Sequence, residues 1–179
     1  MTNDEILSEV KRTNSFLITG LDLTAKNIPP SINGDVVKYA KLMAEAVAPF
    51  SAGFKPNIAF YEGEGAKRYA EYMDACEFLK ETYPYKVIIS DVKRLDIGKT
   101  FGNYVKAFAG NKNIDAFTAA PYMGWDSVKP FYDFINESKA NGLPNKHIIL
   151  LAVTSNPGAN EFLKVRLEDG RLFYEKVID

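Results

Sequence analysis

Acidic and basic side chains alternate over one short stretch of this sequence, DVKRLD at residues 91–96. Asp91 and Lys93 are two residues apart, so in extended backbone they point to the same side, and Asp96 follows after a turn. A lone D-x-K-x-x-D pattern is most simply a solvated charged loop. The alternative is an alternating charge array in a pocket, in which each carboxylate keeps a lysine charged. A fixed ammonium of this kind can stabilise a developing negative charge and then protonate it.

Polar groups follow most of the apolar runs of the chain. Lys55, Asp22 and the 91–96 segment each come directly after such a run, and Thr154-Ser155-Asn156 come after another. Short continuous apolar runs are typical of strands buried on both faces of a parallel sheet, and functional groups of βα proteins sit at the carboxyl ends of such strands. The predicted strands are residues 16–21, 51–54, 86–90, 116–119 and 147–153.

Helical repeats of apolar residues occupy the intervals, at 36–47, 66–76, 101–108 and 128–135, and Asn141-Gly142 is a predicted stop. A further helix is predicted before the first strand, with Ile6, Leu7 and Val10 on its apolar side. The strand starts are about 33 residues apart, which is the size of a βα unit. Such repeats build open doubly wound sheets and (β/α)₈ barrels. No G-x-G-x-x-G or G-x-x-x-x-G-K-[ST] motif occurs, which disfavours a dinucleotide-binding or P-loop protein.

The composition excludes several classes of function. The 179 residues carry 22 basic and 23 acidic side chains, without the basic excess of a nucleic-acid-binding protein. One cysteine, Cys76, and one histidine, His147, exclude an intrachain disulfide and a zinc site built from several thiolates or imidazoles. We expect Cys76 to be a packed apolar group and His147, at the amino end of a strand, to be structural. No apolar run is long enough to span a membrane and no signal peptide is recognisable, so we expect a cytoplasmic protein.

Five motifs in a fixed order resemble the orotidine 5'-phosphate decarboxylase family, in its longer bacterial branch. They are DVKRLDIGKT at 91–100, GLD at 20–22, FKPN at 54–57, PYMG at 121–124 and TSNPG at 154–158. The resemblance implies an α/β fold, the (β/α)₈ TIM barrel, which works as a homodimer. It also implies the conversion of orotidine 5'-monophosphate to UMP and carbon dioxide, in de novo pyrimidine biosynthesis, with no metal or organic cofactor.

The resemblance assigns catalytic roles to four residues. Lys93 would donate the proton to C6 of the pyrimidine, and Asp91 would lie beside the substrate carboxylate. Lys55 and Asp96 would complete a Lys-Asp-Lys-Asp array, with Asp96 supplied to the partner's site in the dimer. The chemistry suits these residue types, because loss of carbon dioxide leaves a carbanion that a nearby ammonium stabilises.

The resemblance also assigns substrate-binding roles. Asp22 and Lys55 would hold the ribose hydroxyls, and Ser155 would hydrogen-bond the pyrimidine. Ile97 and Thr100 would reach across the dimer interface into the partner's site.

The chain departs from the family in three loop positions and in length. Leu95 and Lys99 stand where smaller residues are common, and Ala120 replaces an asparagine. No strand resembles the seventh and eighth βα units, which bind phosphate in the family. After Gly158 we predict a connection, a short hairpin at LEDGRLF and the start of the fifth helix. Eight units would end near residue 280, so we expect residues 1–179 to be a single barrel domain with about five βα units, lacking the last three.

Two alternative functions remain open at this point. One is a magnesium-dependent sugar-phosphate decarboxylase or aldolase of the same superfamily, which shares D-x-K-x-x-D, although FKPN and TSNPG argue against it. The other is an inactive truncated fragment or a pseudoenzyme kept for binding. The charged array argues against inactivation by substitution, and the missing phosphate-binding units argue for inactivation by truncation.

Overall fold

Strands and helices alternate along the chain in the computed structural model, which describes residues 1–23 and 28–179. In that part of the chain, no helix has both the length and the apolar character needed to cross a membrane. The strands are β1 (Ile18–Leu21), β2 (Gly53–Pro56), β3 (Val87–Arg94), β4 (Ala116–Ala119) and β5 (His147–Leu150). The α-helices are α1 (Asn3–Thr13), α2 (Val36–Val47), α3 (Ala59–Glu62), α4 (Ala66–Thr82), α5 (Gly98–Phe108), α6 (Trp125–Ala140), α7 (Ala159–Phe162) and α8 (Phe173–Ile178).

The strands form one parallel sheet in the order β1-β2-β3-β4-β5, so each strand pairs with its neighbour in sequence. A doubly wound sheet reverses its strand order at a switch point, whereas a barrel adds strands in sequence around an axis. The order therefore decides between the two architectures that the repeat left open. The predicted α/β fold is confirmed, as a partial (β/α) barrel whose edges in the described residues are β1 and β5.

Burial follows position in the sheet. The central strands β2, β3 and β4 are buried along most of their length, as the continuous apolar runs predict. In β5 the prediction of burial on both faces is wrong: Ile149 is 40% exposed, because β5 lies at an edge of the sheet. The strand also ends at Leu150, three residues before the predicted boundary.

Packing between β4 and the helices fixes which way the β4 side chains point. The ring of Phe117 in β4 lies 6.3 and 6.0 Å from the rings of Phe101 and Phe108 in α5, and 5.7 Å from Phe131 in α6. Successive strand side chains point to opposite faces of a sheet. With Phe117 packed against the helices, the next residue, Thr118, faces the interior of the partial barrel.

Helix α1 forms where predicted, and Ile6 packs against the core as predicted, but the rest of its buried face differs from the prediction. Leu7 is 52% exposed, whereas Glu9 is buried and accepts hydrogen bonds from Lys86 at 2.8 Å and from Arg12 at 2.7 Å. Val10 is half-buried. Pairing with Lys86, distant in sequence, overrides the apolar periodicity of the helix.

The two residues predicted to be structural lie away from the carboxyl ends of the strands. Cys76 is fully buried in α4, and burial raises the pKa of its thiol to about 12. His147 opens β5 at its amino end, and its Nε2 lies 2.9 Å from the carbonyl oxygen of Met1. The predicted hairpin near the end of the chain is also present, with an antiparallel bridge between Arg166 and Leu172.

Candidate active site

Three of the charged residues predicted from the sequence meet at the carboxyl ends of β2 and β3. Lys55 Nζ lies 2.7 Å from Asp91 Oδ2, and Lys93 Nζ lies 2.6 Å from Asp91 Oδ1. The Asp91 side chain is 6% exposed, while that of Lys93 is 50% exposed. One buried carboxylate therefore holds two ammonium groups, one on each oxygen, with Lys93 facing the open side.

The environment of Asp91 favours its ionised form. Burial by itself would raise the pKa of this carboxyl, but hydrogen bonds from Lys55, Lys93 and Thr118 outweigh burial and hold the pKa below its ordinary value. Asp91 is thus a fixed negative charge at neutral pH.

A β-bulge in β3 sets the direction of the Lys93 side chain. Residues 91–93 lie opposite the single residue Thr118 of β4, because the pairing register shifts between Ser90 and Arg94. At Lys93 the backbone is left-handed, with φ of +44°, which is uncommon for a residue other than glycine. The prediction of extended backbone between the two charged residues is therefore wrong, although their side chains do meet.

Thr118 is part of this group, and the sequence analysis missed it. Its hydroxyl donates a hydrogen bond to Asp91 Oδ1 at 2.9 Å. The hydroxyl oxygen of Thr118, Oγ1, accepts hydrogen bonds from the backbone amides of Val92 and Lys93, each at 2.9 Å. The available signal was a hydroxyl residue inside the apolar run 116–119, which we interpreted only as a strand.

The fourth member of the predicted array lies apart from the other three in this chain. Asp96 is half-buried, and its Oδ1 accepts a hydrogen bond from the backbone amide of Ile97 at 2.8 Å. Ile97 and Thr100 are exposed. All three follow β3, just before or within the first turn of α5.

The two remaining predicted residues also follow strands at the same end of the sheet. Asp22 comes directly after β1 and is exposed. Ser155 is exposed in the turn after β5, where Thr154 Oγ1 donates a hydrogen bond to Asn156 Oδ1 at 2.6 Å. Among the described hydrogen bonds, none joins Ser155 to the Asp91 group.

Arg94, at the end of β3, contacts helices α3 and α5 beside the site. Its guanidinium pairs with Glu62 at the end of α3, and it lies 5.4 and 5.6 Å from the ring centres of Tyr104 and Phe108. The Arg94–Glu62 ion pair connects α3, which follows β2, to the end of β3. Strands β2 and β3 carry Lys55 and Lys93, respectively.

A small cavity of about 150 Å³ lies beside the bulge. In the described residues, no three His, Cys, Asp or Glu side chains are grouped so that they could hold a metal ion. The cavity is lined by Asn57, Ile58, Ala59, Glu62, Asp91, Val92, Lys93 and Arg94.

Comparison with known proteins gives consistent matches. The sequence model of the Orotidine 5'-phosphate decarboxylase / HUMPS family matches residues 15–179. The orotidine 5'-phosphate decarboxylase of Porphyromonas gingivalis is 38% identical over 181 residues, covering 99% of this chain and 62% of the relative. That of Christiangramia forsetii is 39% identical over 182 residues, covering 100% of this chain and 63% of the relative.

A solved structure agrees with these sequence matches. The OMP decarboxylase of Leishmania donovani superimposes with a TM-score of 0.77 at 30% identity, covering 97% of this chain and 62% of that one. The chain thus spans less than two thirds of the length of the relatives that it matches.

Proposed function

The chain belongs to the Orotidine 5'-phosphate decarboxylase / HUMPS family, and we propose that it carries the charged catalytic group of an orotidine 5'-phosphate decarboxylase. The proposed reaction converts orotidine 5'-monophosphate to UMP and carbon dioxide, in de novo pyrimidine biosynthesis. The observation that carries this proposal is the Lys55–Asp91–Lys93 group at the carboxyl ends of two neighbouring parallel strands.

Lys93 is the proposed proton donor. As the bond from C6 to the carboxylate breaks, carbon dioxide leaves and the electron pair stays on C6. The Lys93 ammonium, half-exposed and held 2.6 Å from Asp91, stabilises this charge and then gives its proton to C6, which leaves a neutral amine. Proton transfer from a positioned side chain contributes about a hundredfold to ten-thousandfold to a rate.

Asp91 is the proposed anchor of both lysines and the neighbour of the substrate carboxylate. Its lowered pKa keeps it ionised, so it holds an ammonium on each oxygen while the substrate binds. A carboxylate that stays charged also favours departure of the substrate carboxylate as neutral carbon dioxide, because like charges repel.

The remaining predicted residues receive their roles from the family. We propose that Asp22 and Lys55 hold the ribose hydroxyls and that Ser155 hydrogen-bonds the pyrimidine. Asp22 and Ser155 are exposed and Lys55 is half-buried, and all three lie at the carboxyl ends of strands of one sheet, which supports this arrangement.

We further propose that the enzyme is a cytoplasmic homodimer in which Asp96, Ile97 and Thr100 enter the partner's site. The exposed Ile97 next to the half-buried Asp96 supports an interface there. We also propose that residues 1–179 form one domain with five of eight βα units, which would amount to about 63% of an eight-unit barrel. The 62% coverage of the Porphyromonas relative supports this proposal.

The test is turnover of orotidine 5'-monophosphate by the 179-residue chain, followed as UMP formed and carbon dioxide released. We expect turnover that a metal chelator leaves unchanged and that Lys93→Ala lowers by about a hundredfold or more. Lys129→Ala is the matched control, because Lys129 pairs with Asp133 on the exposed face of α6. It should keep full turnover.

Other outcomes favour the alternatives. Full turnover by Lys93→Ala would overturn the assigned proton donor. Loss of turnover on chelation would favour the magnesium-dependent sugar-phosphate enzymes, which the names of the curated relatives do not favour. If the chain neither turns over orotidine 5'-monophosphate nor binds 6-hydroxy-UMP, the result favours the alternative of an inactive fragment or pseudoenzyme.

A further inference from the structure

The bulge in β3 leaves backbone groups without partners in the sheet. In a regular parallel ladder, each amide of β3 that faces β4 donates to a β4 carbonyl. Here residues 91–93 lie opposite Thr118 alone, so the ladder is interrupted between Ser90 and Arg94. Buried amides that lose ladder partners must find others, because an unpaired buried amide destabilises the fold.

The hydroxyl of Thr118 supplies those partners. A threonine hydroxyl has one donor and two acceptor positions. Both acceptor positions are used by the amides of Val92 and Lys93, and the donor is used by Asp91 Oδ1, all at 2.9 Å. Thr118 is buried, so water does not compete strongly for these positions.

The same hydroxyl acts on the two charged side chains of the bulge. It holds the amide of Lys93 where the backbone is left-handed, a conformation that is unfavourable for a residue other than glycine. It also occupies Asp91 Oδ1 together with Lys93, which leaves Asp91 Oδ2 to Lys55. Thr118 Oγ1 thus fixes the backbone conformation at Lys93, which determines where the Lys93 side chain points. It also fixes the rotation of the Asp91 carboxylate between Lys55 and Lys93.

We propose that Thr118 is a positioning residue of this site, whose hydroxyl fixes the Lys93 bulge and the orientation of Asp91. Its role in turnover rests on the proposed function, whereas its effect on the geometry and charge of the site does not. Phe117, packed among the rings of α5 and α6, keeps Thr118 turned towards the bulge.

The test is a carbon-13 NMR titration of the Asp91 carboxyl in the 179-residue chain and its variants. Thr118→Val replaces the hydroxyl by a methyl group and keeps the branched shape. Because it removes one of the hydrogen bonds that lower the pKa of Asp91, we expect that pKa to rise in Thr118→Val and to return in Thr118→Ser. Thr19→Val is the matched control, since Thr19 lies in β1 and its hydroxyl pairs with Ser51.

Kinetics provide a second measurement where the chain turns over substrate. We expect Thr118→Val to lower kcat by up to about a hundredfold with little change in KM, because it misplaces Lys93 rather than a substrate-binding contact. Thr118→Ser should restore kcat, and Thr19→Val should not change it. Equal losses in Thr118→Val and Thr118→Ser would contradict the proposal.

Two further outcomes keep the test decisive. If Thr118→Val does not fold, amide hydrogen exchange in the wild-type chain decides: slow exchange at Val92 and Lys93 supports the proposal, and fast exchange overturns it. If the wild-type chain shows no turnover, its proposed function fails, but the titration still decides the role of Thr118. An unchanged Asp91 pKa in folded Thr118→Val overturns the proposal.

Discussion

Lys86 and Glu9 form a buried ion pair that joins helix α1 to the start of strand β3, with Nζ 2.8 Å from Oε1. Lys86 Nζ also donates a hydrogen bond to the carbonyl oxygen of Ser51, ahead of β2. The pair therefore ties three segments together at the amino end of the sheet, opposite the candidate site.

Removing one partner of this pair should destabilise the fold strongly. Glu9→Ala leaves the Lys86 ammonium buried without its carboxylate, and loss of one member of a buried pair costs about 3–5 kcal/mol. The free energy of unfolding, measured with urea, should fall by that amount. The double variant Glu9→Leu with Lys86→Met should lose much less, because no charge is left behind. Equal losses in both variants would show that packing, rather than the unpaired charge, is responsible.

Stability should decrease in mild acid because two buried carboxyls have lowered pKa values. Hydrogen bonds, first from Arg12 and then from Lys86, lower the pKa of Glu9 below 4.5, and the lysine and threonine hydrogen bonds outweigh burial to lower that of Asp91 below 3.8. A carboxyl whose pKa is lower in the folded chain stabilises the fold above its unfolded pKa, and this contribution is lost as the pH falls through the folded value.

We therefore expect the free energy of unfolding to fall as the pH is lowered from about 5 towards 2. Asp91→Asn should flatten this dependence, because it removes one of these two buried carboxyls. Asp133→Asn, on the exposed face of α6, is the control for replacing a surface carboxylate by an amide. A slope that is the same in Asp91→Asn and in the wild type would contradict the assignment.

Glycine should be more stable than alanine at position 93. Both substitutions remove the lysine, but only glycine adopts the left-handed backbone without steric cost, so Lys93→Gly should be about 1–2 kcal/mol more stable than Lys93→Ala. At Lys106, in helix α5, the order should reverse by about 1 kcal/mol. Urea denaturation of the four variants checks both signs, and the same order at both positions would refute the left-handed assignment.

Arg94 should not tolerate replacement by lysine. Arg94→Lys keeps the charge but loses the planar group over Tyr104 and Phe108, so we expect a loss of about 1–2 kcal/mol in the free energy of unfolding. Arg166→Lys, at an exposed arginine in the terminal hairpin, should change it by no more than about 0.5 kcal/mol. A similar small effect at both positions would mean that the stacking of Arg94 contributes nothing.

The elements that sequence reasoning predicted correctly are those whose signals are local. Helix α2 and strand β4 begin and end where the apolar patterns predict, because each pattern is complete within its own segment. The meeting of Lys55, Asp91 and Lys93 also follows from local signals, since a charged residue after a parallel strand must lie at the carboxyl edge of the sheet.

The features that were missed depend on contacts between distant parts of the chain. The left-handed backbone of Lys93 arises from the register shift between β3 and β4, which no property of residues 91–96 reveals. The role of Thr118 depends on the same shift, and the burial of Glu9 depends on a partner 77 residues away. Local periodicity contains no information about such pairings. It therefore did not indicate that the charged Glu9 is buried in α1.

The sequential strand order has a consequence for how the chain folds during synthesis. Each strand from β2 to β5 finds its sheet partner already made when it leaves the ribosome, and the partner is the strand directly before it in sequence. Each pairing joins neighbouring units and so closes a shorter loop than any other parallel pairing of these strands would, and synthesis makes the amino-terminal units first. The sheet can therefore grow one βα unit at a time, with only its newest strand exposed at the advancing edge. The charged group forms early in this order, because β2, β3 and β4 supply all of its described members.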